Sequence, residues 1–150
     1  MAKEFISWQD DLSVGIQEID EQHKILIKLI NRLFDEAIIK RNTSIANEIL
    51  TELIQYTVIH FAVEESLFRI FNYPNYEKHK LQHEELTKQV MGLKVKIEQG
   101  EEVSTELIVF LRSWLTKHIL KEDKKYTNFF TEKGLQLNWA KKSWLGKIWS

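Results

Sequence analysis

A chain of 150 residues, 43% of them hydrophobic, is long enough for one domain with a substantial core, and its 21 basic and 22 acidic side chains leave no bulk field to recruit nucleic acid. Cysteine is absent, which excludes disulfides, thiolate nucleophiles and cysteine-bound zinc or iron–sulfur centres. Any metal has to be held by nitrogen and oxygen.

The opening MAKEFISWQDD lacks the basic-then-apolar order of a signal peptide, and no apolar run reaches the roughly 18 residues of a membrane span. The expected address is therefore the cytoplasm, with no transmembrane segment. Residues 1–18, which include SVGIQE, read as a non-helical arm. From there five glycines and one proline leave few breakers, and helical periodicity takes over.

The first helix is expected from Ile19 to Lys40, with Ile19, His23, Leu26, Ile27, Ile30, Leu33, Phe34 and Ala37 on one face, and KRNTS ends it. The second runs from Ser44 to Phe71 through Ile49, Leu53, Tyr56, His60, Val63 and Leu67. It stops before Pro74, because a residue preceding proline is pushed out of the helical region. The third, Tyr76 to Glu98, holds His79, His83, Leu86, Val90, Leu93 and Ile97 and stops at Gly100. The fourth starts near Ser104 and holds Leu107, Phe110, Leu111, Trp114, Leu115 and His118. No strand pattern competes.

Short connections between amphipathic helices make antiparallel neighbours. The expected fold is all-α: an antiparallel up-and-down four-helix bundle over residues 1–132, with the non-helical arm in front and a short extension, 133–150, behind. That extension has four lysines, no acid and three tryptophans, Trp139, Trp144 and Trp149. A cover packed on the bundle is its favoured reading; weak contact with a membrane surface, indoles at headgroup level and lysines on anionic lipid, is the other.

Histidine placement carries the chemistry. His79 and His83 stand four apart, about 40° from each other around a helix, so both face one ligand. His23, His60 and His118 each interrupt the apolar face of another helix. One such histidine is ordinarily satisfied by a neighbour. Five of five on core faces is different, because each neutral imidazole needs a partner for each nitrogen, and a shared metal centre provides them. Glu64 follows His60 by four, one turn along the same stripe, whereas Glu65 is expected to point about 100° away, toward solvent. Asp123 follows His118 by five, about 140° round an ideal helix. Either it is a solvated acid or the helix is widened there. Five imidazoles, two bridging carboxylates and one oxo or hydroxo bridge fill all but one position of two octahedra; the donors suit iron, and by softness alone admit cobalt, manganese or zinc.

The segments SVGIQEIDEQHKIL, HFAVEE, YPNYEKHKLQH and WLTKHILKEDKKY, with Trp8 ahead of them, make the chain resemble the bacterial hemerythrins over nearly the whole bundle. The resemblance implies two non-haem iron ions, one held by His79, His83 and His118 and the other by His23 and His60, with Glu64, Asp123 and an oxo or hydroxo group bridging them. It also implies that the iron with two histidines keeps a position for dioxygen, and that Trp114 and Leu115 line the pocket. Leu26 and Phe61, near His23 and His60, are further pocket candidates. Phe68 and Leu86 depart from common family residues but replace no ligand.

The expected function is reversible dioxygen binding for storage, delivery or sensing. The chain lacks the E-x-x-H pairs of ferritin-like di-iron proteins, and its imidazole-rich donor set favours a carrier over an enzyme. Residual oxidase or peroxidase activity and a metal-buffering or purely structural bundle are the alternatives. Dioxygen is the expected partner; a partner protein is not specified.

Overall fold

The structure, a computed structural model, describes residues 5–132. The extension 133–150, with both readings of it, lies outside the described residues. Helix α1 is Gln17–Phe34, α2 Thr43–Ile70, α3 Tyr76–Glu98 and α4 Ser104–Lys117. A π-helical segment, His118–Asp123, joins α4 to α5, Lys124–Glu132. Each long helix packs on its neighbours in sequence and α1 packs on α4, which closes the up-and-down bundle. Among the described residues there is no strand, and no helix is long and apolar enough to cross a membrane.

Local chemistry sets the ends. Asp20, in the first turn of α1, accepts from the Ser13 hydroxyl and from the Val14 backbone N–H at 2.8 Å. Its carboxylate also favours the positive end of the helix dipole. This closure starts α1 at Gln17, two residues before the apolar periodicity, and the arm ahead of it contains a 3₁₀ turn at Asp10–Leu12. The Asn42 side chain caps α2 by accepting from Ile45 N–H at 3.2 Å. Past α2, Asn72 takes φ +54° and Tyr73 N–H reaches back to Phe68 O at 2.8 Å. Gly100 ends α3 at φ +88°, where a side chain would be strained.

The first helix does not stay regular to Lys40. Asp35–Ile39 is π-helical, with Lys40 N–H on Asp35 O at 2.9 Å. None of its five residues is fully buried, although Ala37 and Ile38 still pack against the core.

The interior has three zones. Leu33, Leu50, Leu53, Leu107 and Leu111 form an apolar zone, and Phe68, Tyr73, Tyr126 and Phe130 an aromatic one with ring centroids 5.1–6.4 Å apart. The buried histidines occupy the third, contributed by α1, α2, the N-terminal half of α3 and the segment that follows α4.

The start of the arm is clamped to α1 by Asn31. Asn31 Oδ1 accepts from Ile6 N–H and Asn31 Nδ2 donates to Ile6 O, both at 2.8 Å. Beside it Phe5 stacks on Phe34 at 4.5 Å, and the Arg112 guanidinium sits 4.4 Å above the Phe5 ring. Asn31→Ala strips both Ile6 backbone groups of their partner and is expected to lower stability by about 1–3 kcal/mol. Urea denaturation at constant m-value checks this; an unchanged midpoint would show that the clamp contributes nothing.

Candidate metal centre

All seven side chains singled out by spacing are buried: His23, His60, Glu64, His79, His83, His118 and Asp123. On α2 and α3 the four-residue spacings place His60 with Glu64 and His79 with His83, as an α-helix requires. His118 and Asp123 need something else. The π-helical turn between them closes hydrogen bonds five residues apart, returning Asp123 to the face of His118. Asp123 is fully buried, with Oδ1 2.9 Å from His118 Nε2, so the widened turn is found and the solvated-acid reading is overturned.

Every histidine presents Nε2 to the interior. His79 and His83 Nε2 stand 3.1 and 3.2 Å from His118 Nε2. Asp123 divides its oxygens: Oδ1 faces His79 at 3.1 Å as well as His118, while Oδ2 faces His23 at 3.1 Å. Glu64 Oε1 lies 3.4 Å from His60 Nε2 and 3.3 Å from His83 Nε2. Two groups of donor atoms result, each within 4.8 Å: Glu64 with His79, His83 and His118, and Glu64 with His23, His60 and Asp123.

These donors fit metal ions. Three imidazole nitrogens converge at hydrogen-bond distance, yet in each close pair at most one nitrogen can donate, so lone pairs face each other without a proton for each. Glu64 Oε1 is buried and makes no hydrogen bond. Cations accepted by both groups resolve both features.

Electrostatics agree. Burial opposes charge on His60 more strongly than Glu64 favours it, holding the imidazole down to about 4 and hence neutral. Burial likewise opposes charge on Asp123, but His118, His23 and His79 hold its carboxyl well below the usual range. Glu64 is also lowered: burial and Asp123 oppose its ionisation, and His60 and His83 outweigh them. Neutral imidazole and ionised carboxylate are the forms that bind metal. At His23 and His83 burial opposes charge, but the neighbouring carboxylates outweigh it and raise the imidazole, to about 9 at His83; a cation bound at Nε2 would take the place of that second proton.

Three supporting residues escaped the sequence reading. The His60 Nδ1–H group donates to Gln22 Oε1 at 2.6 Å, and the Tyr126 hydroxyl donates to Glu64 Oε2 at 2.8 Å. Glu65 does not point away into solvent. It is 17% exposed and its Oε2 meets His83 Nδ1 at 3.0 Å. Gln22 carried a usable signal, three after Ile19 and four before Leu26 on the inner face of α1; Tyr126 carried another, three after Asp123. For Glu65 there was none, because its partner comes from a different helix.

An apolar cavity of about 30 Å³ adjoins the cluster, lined by Leu26, Ile30, Leu53, Leu86, Trp114 and Leu115 among others. Trp114 stacks on His118 at 4.6 Å and 13°. Phe61 is not in this lining; it lies flat on His83, at 3.7 Å and 2°. Its ring also meets Trp114, which borders the cavity, edge-on at 5.7 Å.

The Hemerythrin HHE cation binding domain matches residues 14–129. A bacteriohemerythrin of Pseudomonas aeruginosa is 41% identical over 121 residues, covering 81% of this chain and 78% of its own. The bacteriohemerythrin of Stenotrophomonas maltophilia is 36% identical over the same length, and a hemerythrin-like protein of Naegleria fowleri 36% over 120 residues, or 89% of that protein. The crystal structure of a wild-type hemerythrin superposes with a TM-score of 0.78 at 32% identity, covering 83% of this chain and 96% of that one.

Because Glu64 and Asp123 each face histidines of both groups, Glu64→Ala and Asp123→Ala are expected to cost both metals, where a change at exposed Glu84 or Glu85 costs neither. Metal analysis after iron loading reads this directly. Two irons retained in both alanine variants would refute the sharing.

Proposed function

The chain belongs to the hemerythrin family, whose members bind dioxygen at a non-haem di-iron centre, and from that premise we propose that this protein is a reversible dioxygen carrier for storage or delivery rather than an enzyme. In this reading His79, His83 and His118 hold one iron, His23 and His60 hold the other, and Glu64 and Asp123 lie between them. A bundle unit of residues 1–132 in the cytoplasm is the setting the reading assumes.

The observation that supports it is the pairing of an imidazole-rich, fully buried donor set with a cavity of about 30 Å³. Ferrous ions held there supply the two electrons that dioxygen accepts on binding. The side chains do the rest. Tyr126 holds one oxygen of Glu64, and Gln22 fixes the tautomer of His60 so that Nε2 is the free donor. Leu26, Trp114 and Leu115 present hydrocarbon and indole to the cavity, which has room for a diatomic molecule. Excluding water there slows loss of the bound gas in reduced form.

A release experiment separates carrier from catalyst. Reduced protein exposed to air should gain a near-ultraviolet and visible band and lose it again under vacuum, returning dioxygen intact; consumption of dioxygen to peroxide or water would sink the carrier reading. Replacing Leu115 with Ala or Trp114 with Leu opens the cavity without removing a ligand. Autoxidation should then run several-fold faster at unchanged iron content, as followed by decay of the oxygenated spectrum. Parent-like lifetimes in both variants would restrict these side chains to packing.

A further inference from the structure

The outer nitrogens of the cluster histidines are not treated alike. His83 Nδ1 meets a carboxylate, Glu65, at 3.0 Å. His60 Nδ1 meets the neutral amide oxygen of Gln22, and buried His23 Nδ1 has no hydrogen-bond partner among the described residues. The three-histidine group therefore has an anionic outer partner, and neither histidine of the other group has one. An ionised carboxylate only accepts, so His83 carries its proton on Nδ1 and turns the lone pair of Nε2 inward. The Phe61 ring, flat on the imidazole at 3.7 Å, fixes its plane. Glu65 also borders a surface cleft between α2 and α3, lined by Val58, Ala62, Glu84, Thr87 and Lys88.

Resting on the di-iron reading above, we propose that Glu65 is a positioning residue that makes the two irons electronically unequal: by accepting the His83 Nδ1–H bond it strengthens Nε2 as a donor, so the three-histidine iron gives up an electron first. An imidazole that shares its outer proton with a carboxylate is a more basic ligand, and a more basic ligand favours ferric over ferrous iron. The step is a plain outer-sphere oxidation. Each electron that leaves the cluster reduces one added ferricyanide to ferrocyanide, and Glu65 neither gives nor takes a proton.

The test is an anaerobic potentiometric titration of the iron-loaded full chain with ferricyanide and mediators, comparing the parent with Glu65→Gln and Glu84→Gln. Glu84 borders the same cleft and is exposed, and among the described residues its carboxylate makes no hydrogen bond or ion pair with a cluster histidine, so it controls for surface charge. Glu65→Gln should weaken the ferric preference of the first-oxidised iron about 10-fold, the lower end of outer-ligand effects. For a one-electron couple that reads as a rise of about 59 mV in the first step. Glu84→Gln should leave that step in place. Two irons bound at parent potentials in Glu65→Gln, or an equal shift in Glu84→Gln, overturns the proposal. Should Glu65→Gln not retain iron, ¹⁵N-edited NMR of the zinc-loaded proteins decides: the His83 Nδ1 proton should move upfield in the variant while that of His60 stays, and an unmoved His83 signal overturns it. A parent protein that loads two irons yet shows no dioxygen-dependent spectrum refutes the function beneath the proposal, a failure read in a different experiment from the potentials.

Discussion

Two ionised carboxylates are buried among five imidazoles in the middle of a helical bundle, and the other features of this structure answer to that constraint. An isolated carboxylate in such surroundings is strongly unfavourable unless paired and hydrogen-bonded. Here Asp123 spreads its oxygens over histidines of three elements, and Glu64 is flanked by His60, His83 and the Tyr126 hydroxyl. The polar cluster needs a dry, rigid shell to hold those distances. Leucines supply it on one side and the interlocked rings of Phe68, Tyr73, Tyr126 and Phe130 on the other.

Much of this was legible in the chain. Scarce breakers and unbroken apolar periodicity located four helices, and the boundaries expected at Phe71, Glu98 and Ser104 agree with the structure to within a residue or two. The seven-residue cluster was legible for the same reason: histidine is conspicuous on an apolar stripe, and spacings of four need no tertiary knowledge. Even the misfit of His118 with Asp123 was informative, since only a distorted turn could bring both inside.

What escaped notice depends on neighbours rather than on spacing. A helical wheel places Glu65 about 100° from Glu64, which is correct as an angle and misleading as an environment. That direction leads to the seam with α3, where His83 Nδ1 waits, and not to open water. Phe61 shows a related limit: adjacency to His60 in sequence does not tell that its ring meets His83 of α3 and Trp114 of α4. The π-helical end of α1 at Asp35–Ile39 had no sequence signal, since apolar periodicity runs on through Ala37.

The turn between His118 and Asp123 also governs the phase of everything after it. It lodges one extra residue in an otherwise continuous helix, so α5 is rotated by about 100° from where α4 alone would have aimed it. Tyr126 and Phe130 enter the interior in that shifted phase, as does Asp123 itself. Straightening that turn into regular α-helix with every residue kept would therefore rotate all that follows. Glu122 would turn inward in place of Asp123, Lys125 in place of Tyr126 and Phe129 in place of Phe130. One backbone irregularity thus works as a phase key for a cluster ligand and for the aromatic wall behind it.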